Sequence, residues 1–366
     1  MKFKSERDIL VDALSSASRV VATRLVGATS GVLLTLTGNQ LVVTGTDLDI
    51  TVRTTVDVIG LEDGSVVVPA RLVVDAVRSL EAGAVTVDGG EETVEVSLGR
   101  AKFSLRSFAV MDYPKLPPIT GALITIPAAD LIQGITQVVR AAATDDARPL
   151  LTGVLFTTEN NALRLIATDS YRLAVRDVPG VSTIGASQDV LVPARALHEL
   201  QRSASSLSDD AEIGVTLTSA EISFVVGRTN IASRLIEGNY PSVLQLIPAS
   251  YPNRLRVAKD TLLTSLKRAK LLAKDSTSSV RLLVKDRTVE IRTQSQDTGD
   301  VEDNVDADYV GEDLTIAFNP NFLIDGIEAV PSDEVVLEMS DSVRPAMVHG
   351  VDDERFRYLL MPVRVQ

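Results

Sequence analysis

Four short landmarks occur twice in this chain, in the same order and at nearly the same spacing. Thr46-Asp47, inside the stretch 41–52, returns as Thr168-Asp169 inside 163–175, a step of 122 from position 46 to position 168. Val68-Pro69-Ala70-Arg71 returns letter for letter as Val192-Pro193-Ala194-Arg195, 124 positions on. Gly99-Arg100 returns as Gly227-Arg228 after 128, and Tyr113-Pro114 as Tyr240-Pro241 after 127. Asn319-Pro320 stands where the two Val-Pro steps stood, with Pro320 lying 127 beyond Pro193. A repeat of this length means copies of one unit, each large enough to bury its own core.

Each copy reads as helix, strands, helix, strands. The first helices carry apolar residues at helical spacing: Ile9, Leu10, Ala13, Leu14 and Ala17, then Leu131, Ile132, Ile135, Val138 and Val139, then Leu262, Leu266, Ala269 and Leu272. The second helices start at a proline step, which suits a helix N-terminus. They use Leu72, Val73, Ala76, Val77 and Leu80, then Leu197 and Leu200, then Phe322, Leu323, Ile324 and Ile327. Short β-branched runs such as 32–36, 66–68, 93–98, 153–157, 190–192, 280–284, 289–293 and 357–361 read as strands. Pro114, Pro117, Pro118 and Gly121 punctuate the first junction, and Pro241, Pro248 and Pro252 the second. The expected domains are 1–120, 121–248 and 249–366, in an α+β class with antiparallel sheets and two helices per copy.

Composition narrows the function. There is no Cys, which rules out disulfides and thiolate metal sites, and His198 and His349 are the only histidines, too few for a multi-histidine centre. No stretch reaches about 18 consecutive apolar residues, and the N-terminus lacks a signal-like apolar core, so neither a membrane span nor a signal peptide is expected. A formal charge of −13 argues against a protein that wraps nucleic acid in an evenly basic surface. It leaves open a basic face set against an acidic remainder.

Three copies with these landmarks resemble the bacterial sliding clamps, the beta subunits of DNA polymerase III. The resemblance spans essentially the whole chain. It is most specific at the opening MKFKSERDIL, at TGTDLDI, at the two VPAR steps, and at LLTGVLF with the following LRLIATDSYRLAV. EGNYPSV and the terminal YLLMPVR complete it. It implies a head-to-tail homodimer closed into a ring of six similar domains, helices inside and sheets outside, as a heterologous interface that closes by rotation would give. The implied function is a clamp that encircles double-stranded DNA without reading its sequence and tethers the replicative polymerase. The implied partners are the polymerase alpha subunit, an ATP-using clamp loader and other proteins that carry a short clamp-binding peptide. No cofactor and no catalytic residue are implied, polymerase activity belonging to another subunit, and the setting is the cytoplasm at the nucleoid.

If helices face DNA, their exposed stripes should be basic. Arg71, Asp75 and Arg78 share one helix face, Arg195, Glu199 and Arg202 repeat the pattern, and Lys267, Lys270 and Lys274 make a fully basic stripe with Arg268 beside it. Arg19, Arg24, Arg140 and Arg148 join the same side, and the resemblance points to Arg24 and the Arg148-Pro149 loop as individual contacts. Ordinary solvated helix faces would show the same stripes. Relatives often carry aromatic residues where this chain has Pro149-Leu150.

The resemblance also implies an apolar pocket for partner peptides between the second and third domains. Matching positions are Leu151, Thr168, Ser170, Tyr171, Arg172, Leu173, Pro241 and Leu246, with Val343, Leu359, Leu360, Met361, Pro362, Val363 and Arg364. Aliphatic walls, an adaptable Met and a polar rim suit peptide Leu and Phe side chains. Ser170-Tyr171 stands where a Gly-His pair is common, and Gln245 replaces a frequent Arg. On residues alone, 358–361 reads equally as a core strand and Thr168-Asp169 as turn chemistry. For ring closure, Phe103 aligns with an apolar contact against Leu271 and Leu272, with Arg100 and Lys102 facing Asp300, Glu302 and Asp303.

Two other classes fit parts of the chain. Asp47/Asp49 and Asp145/Asp146 are carboxylate pairs of the kind that hold Mg²⁺ for phosphoryl chemistry, but no phosphate-cradling Gly loop or nucleophile–base set accompanies them. A duplicated peptide-binding scaffold that does not encircle DNA is the other.

Overall fold

A computed structural model describes residues 1–21, 26–116, 119–159, 162–181, 189–208, 210–273, 279–295, 299–353 and 355–364. The first repeat runs β1 (Lys2–Glu6), α1 (Arg7–Val20), β2 (Gly31–Thr37), β3 (Gln40–Thr46), β4 (Ile50–Asp57), β5 (Ile59–Glu62), β6 (Gly64–Pro69), α2 (Ala70–Ser79), β7 (Ala84–Gly89), β8 (Thr93–Leu98) and β9 (Ala101–Arg106). The second runs β10 (Leu123–Pro127), α3 (Ala128–Val138), β11 (Gly153–Glu159), β12 (Ala162–Thr168), β13 (Arg172–Val178), β14 (Val190–Pro193), α4 (Ala194–Ala204), β15 (Glu212–Leu217), β16 (Glu221–Val226) and β17 (Thr229–Arg234). The third runs β18 (Asn253–Ala258), α5 (Lys259–Lys270), β19 (Val280–Lys285), β20 (Thr288–Ser295), β21 (Gly299–Val310), β22 (Leu314–Phe318), α6 (Pro320–Ala329), β23 (Glu334–Met339), β24 (Ala346–Gly350) and β25 (Phe356–Leu360). Among the described residues every strand pairing is antiparallel, as α+β architecture without βαβ crossovers requires.

The repeats are not the compact units. One unit holds Met1–Ala129 with Arg195–Leu235, the other Asp130–Ala194 with Ile236–Gln366, so the middle repeat is divided. The first unit contains a five-stranded sheet, β5-β1-β7-β8-β9, and an eight-stranded one, β10-β15-β16-β17-β4-β3-β2-β6. The second contains a twelve-stranded sheet, β14-β11-β12-β13-β25-β24-β23-β18-β21-β20-β19-β22. Repeats are thus joined by strand pairing: β4 with β17, and β13 with β25.

Within the first unit, α1 buries Leu10, Ala13, Leu14, Ala17 and Val20, a 3–4 spacing that lays one stripe on the sheet. Truncating Leu10, which is fully buried, to Ala would cost about 2–5 kcal/mol. The α2 stripe is Ala70, Val73, Val74, Ala76 and Val77, so Leu72, which the apolar spacing assigns to the buried face, instead points outward and is 51% exposed. In the second unit α5 ends at Lys270, which leaves Leu272 in the turn beyond the helix. Asn319 caps α6, its side-chain oxygen accepting from Asn321 N (2.9 Å) and Phe322 N (3.4 Å). A Cβ on Gly326 would lie 2.4 Å from the Tyr358 ring, so Gly lets α6 sit directly on that ring. Among the described residues, no helix is long and apolar enough to cross a membrane.

Candidate functional site

The 168–172 turn places the first candidate site. Thr168 Oγ1 donates to Arg172 O (2.6 Å) and accepts from Ser170 N (3.1 Å). Asp169 Oδ1 accepts from Tyr171 N (2.9 Å) and Arg172 N (3.0 Å). These bonds satisfy the turn's backbone and hold Ser170 at φ 77°, a left-handed conformation rare for a residue with a side chain. The turn then feeds β13 with Arg172 fixed at its first position.

Arg172 is almost buried, its side chain 10% exposed, and its Nε and Nη1 are both bonded. Its Nε donates to Asp169 Oδ2 (3.0 Å), Nη1 to Asp325 Oδ2 (2.5 Å) and to Tyr358 Oη (3.3 Å), and its guanidinium lies 4.4 Å from the Phe322 ring centroid. Burial on its own favours the neutral form, but the Tyr358 phenol and the Asp325 and Asp169 carboxylates outweigh it and hold the Arg172 pKa above the usual value. Burial pushes the Tyr358 phenol up as well. Tyr171 lies outside this cage, 60% exposed, its ring stacked on Phe322 at 6.3 Å.

Beside the turn lies a cavity of about 200 Å³ lined by Leu151, Thr168, Ser170, Arg172, Leu173, Pro241, Val243, Leu246, Leu359 and Met361. Nine of these ten are positions singled out from the sequence. Val243 is the addition, two residues past Pro241 in the same segment. The walls are aliphatic and the polar groups are gathered at the turn. Met361 N donates to Tyr171 O (2.9 Å) and Val363 N to Ala317 O (2.7 Å), which pins the C-terminal segment against the fold.

Other expected pocket positions lie elsewhere. Leu360 is fully buried and points away from the cavity, because successive strand residues face opposite sides and Leu359 takes the pocket side. Val343 is 60% exposed, Arg364 is exposed, and Pro362 and Val363 are half-buried outside the lining. Arg148, placed by the sequence with the helix-face cations, reaches the pocket rim, where Nη1 donates to Ser170 Oγ (2.8 Å). Gln245 lines a neighbouring cleft of about 350 Å³ with Glu159, Asp189 and Ser242.

The second candidate site is the set of helix-borne cations. Arg71, Arg78, Arg195, Arg202 and Lys270 are exposed. Several are held by carboxylates that the stripes did not reveal. In the first unit Glu199, its side chain only 8% exposed, binds Arg19 (2.8 Å) and Arg202, and Arg195 reaches Asp47 (2.7 Å). In the second, Glu328 binds Lys267 (2.8 Å) and Arg140 (2.9 Å), and these two cations hold its carboxyl below the usual range. Arg78 donates to Ser15 Oγ (3.2 Å). Arg24 and Lys274 lie outside the described residues.

The positions expected at a closing interface lie on β9 and the turn before it, after α5 and on β21. Phe103 is half-buried, Arg100 and Asp300 are exposed, and Leu271 is 69% exposed with Leu272 half-buried. Lys102 pairs with Glu95 on its own sheet, and Glu302 lies 3.5 Å from Arg292. Asp303, its side chain 24% exposed, is engaged within its own chain. It accepts from Ser265 and pairs with Arg268 (2.9 Å), because alternate residues of β21 face α5. The Asp47 carboxylate is engaged by the Asp49 and Ile50 amides and by Arg195, and Asp145 accepts from Ala147 N. Among the described residues, no three His, Cys, Asp or Glu side chains cluster closely enough to hold a metal ion.

A threefold helix–sheet repeat joined edge to edge, with an apolar pocket on one joint, defines a tandem clamp-domain protein. Three family models match in succession: the N-terminal domain of the DNA polymerase III beta subunit over residues 1–117, its central domain over 125–242 and its C-terminal domain over 244–364. The chain belongs to that family. It is 32% identical to the beta sliding clamp of Streptomyces coelicolor over 100% of both chains, and 30% identical to that of Staphylococcus aureus strain Mu50 over 100% of this chain and 99% of the relative. Among solved structures, the sliding clamp of Bartonella birtlesii bound to griselimycin superposes with a TM-score of 0.93 at 29% identity. That of Bacillus subtilis gives 0.89 at 29%. Both comparisons cover 100% of each chain.

Proposed function

We propose that this chain is a processivity clamp: two copies close head to tail around duplex DNA and hold a polymerase on its template through a peptide seated in the pocket. Family membership supports the clamp role, and the pocket carries the peptide reading. Its walls come from Leu151, Leu173, Pro241, Val243, Leu246, Leu359 and Met361, which suit Leu and Phe side chains of an extended peptide. Thr168, Ser170 and Arg148 supply polar groups at its edge. The other partners in this reading are an ATP-using clamp loader, needed because a closed ring cannot thread onto circular DNA, and further proteins carrying the same peptide.

The exposed cations Arg71, Arg78, Arg195, Arg202, Lys267 and Lys270 would meet DNA phosphates, which carry no base information. Such contacts weaken steeply with salt and allow sliding. The chain performs no chemistry in this reading, needs no cofactor, and works at the nucleoid in the cytoplasm. Its three domains follow the repeat, at 1–120, 121–248 and 249–366.

The test is fluorescence anisotropy of a labelled QLxLF-type peptide with the intact chain and with a chain lacking the six residues from Met361 onward. Micromolar binding that vanishes on truncation, with an unchanged circular dichroism spectrum, is the expected result. No binding to the intact chain would overturn the peptide reading, and failure to be retained on closed circular DNA would overturn the ring.

A further inference from the structure

Two cavities share one stretch of chain. Pro241 and Val243 line both the pocket beside the 168–172 turn and the neighbouring cleft of about 350 Å³. A residue that borders both puts them within a few residues' length of extended chain, at about 3.3–3.6 Å per residue. A peptide seated in the pocket therefore has the cleft within reach of its flanking side chains.

The two cavities differ in chemistry. In the pocket the polar groups gather at the turn, whereas the cleft carries carboxylates. β11 and β12 bring Leu155 and Ile166 to it, and the shared stretch adds Val243 and Leu244, which makes an apolar floor. Glu159 ends β11, and Asp189 comes one residue before β14. Leu155 and Phe156 pair with Leu191 and Val190, so the same register carries Asp189 opposite Thr157, two residues from Glu159 on one face.

This charge is not balanced from within the chain. Arg164 serves two carboxylates at once. It binds Glu159, and its Nε and Nη2 donate to Asp177 Oδ1 (2.5 Å) and Oδ2 (3.0 Å). The exposed Asp189 carboxylate has no partner among the described residues.

The first repeat shows the same place without the carboxylates. Counted from the shared landmarks and ladders, Glu159, Asp189 and Ser242 stand at the positions of Thr37, Ser65 and Lys115. All six are exposed. One copy thus carries two hydroxyls and an ammonium where the other carries two carboxylates and a hydroxyl. The domain folds with either set, so the acidic rim answers no need of the fold.

We propose that the cleft is an accessory subsite of the peptide pocket, taking a lysine or arginine side chain that flanks the apolar anchor of a partner peptide. This rests on the peptide reading above and adds a charge requirement to it. The aliphatic stem of the side chain lies along Leu155, Ile166 and Leu244, and its cationic head reaches Glu159 and Asp189. Apolar burial in the pocket supplies affinity, and the charge in the cleft supplies choice among partners that share the same anchor. A glutamate in that place would meet two carboxylates and be rejected.

The test is fluorescence anisotropy with QLxLF-type peptides in which each position flanking the core carries Lys, Ala or Glu in turn. It is run at about 0.15 M salt, where exposed charges more than about 8 Å apart are largely screened. At one or more flanking positions Lys should bind about three- to tenfold more tightly than Ala, and Glu more weakly than both. Asp189→Asn should cut the preference below about twofold, and Ser242→Lys, which installs the cation of the first repeat, should invert it. Both residues are exposed, so the fold should be kept, which circular dichroism checks. Flanking residues that make no difference overturn the subsite and leave the pocket standing. A Lys preference that survives both replacements is attraction to the chain's net charge of −13, and it overturns the subsite as well. Failure of the alanine-flanked peptide to bind overturns the peptide reading, and the subsite with it.

Discussion

The Thr-Asp turns of the first and second repeats share a backbone and differ in what they hold. Thr46 Oγ1 donates to Ile50 O and accepts from Leu48 N (both 3.0 Å), as Thr168 does with Arg172 and Ser170. Asp47 Oδ1 accepts from the Asp49 and Ile50 amides, as Asp169 does from Tyr171 and Arg172. The third residue is left-handed in both, with φ 80° at Leu48 and 77° at Ser170. The difference lies in the free carboxylate oxygen and the residue that ends the turn. Asp47 binds the exposed Arg195, and Ile50 enters the core. Asp169 binds the enclosed Arg172, whose other nitrogen bonds reach Asp325 and Tyr358 in the third repeat. One copy of the turn is a strand connector. The other fixes a cation at the side of a pocket.

The sharpest way to break this contrast is Arg172→Ala. It strands two carboxylates and a phenol in a nearly closed site, and should cost about 3–5 kcal/mol along with peptide binding. Thermal unfolding and peptide anisotropy would show both losses. The matched pair Asp169→Asn and Asp47→Asn applies one chemical change to equivalent positions. The first turns an amide donor towards Arg172 and should cost about 3 kcal/mol, the second about 1, because Arg195 is solvated and keeps water as a partner. Equal effects would mean that the turns are energetically alike.

Smallest of all are the glycine replacements. Leu48→Gly should stabilise by up to about 1 kcal/mol, since it relieves a left-handed leucine that is half exposed. Ser170→Gly relieves the same strain but loses the hydroxyl that receives Arg148, so its net change should be near zero. A larger gain at 170 than at 48 would show that the Arg148 bond contributes nothing.

Much of this was legible in the chain itself, because the repeat, the proline steps and the Thr-Asp turns are local chemistry. Most of the pocket lining was also reached, through resemblance to a known family. The misses share a cause. Leu360 adjoins Leu359 in the chain, but strand parity puts the two on opposite faces. Leu72 fitted a helical spacing whose phase only packing decides. Spacing puts Glu199 on one helix face with Arg195 and Arg202, while its burial between Arg19 and Arg202 depends on a helix 180 residues away. The bond from Arg172 to Asp325 spans 153 residues, and no periodicity signals it.

The divided middle repeat has a further consequence for anyone who cuts this chain into pieces. Sequence similarity suggests three detachable modules, but two of the sheets run through the junctions between them. A fragment ended near residue 120 would lose β17 from beside β4, and one begun near 249 would lose β13 from beside β25. Each would carry a bare row of amides and carbonyls, the kind of edge that recruits strands from strangers. Triplication supplied the parts, but hydrogen bonding has since welded neighbours together. The smallest piece that behaves well in solution should therefore be longer than one repeat.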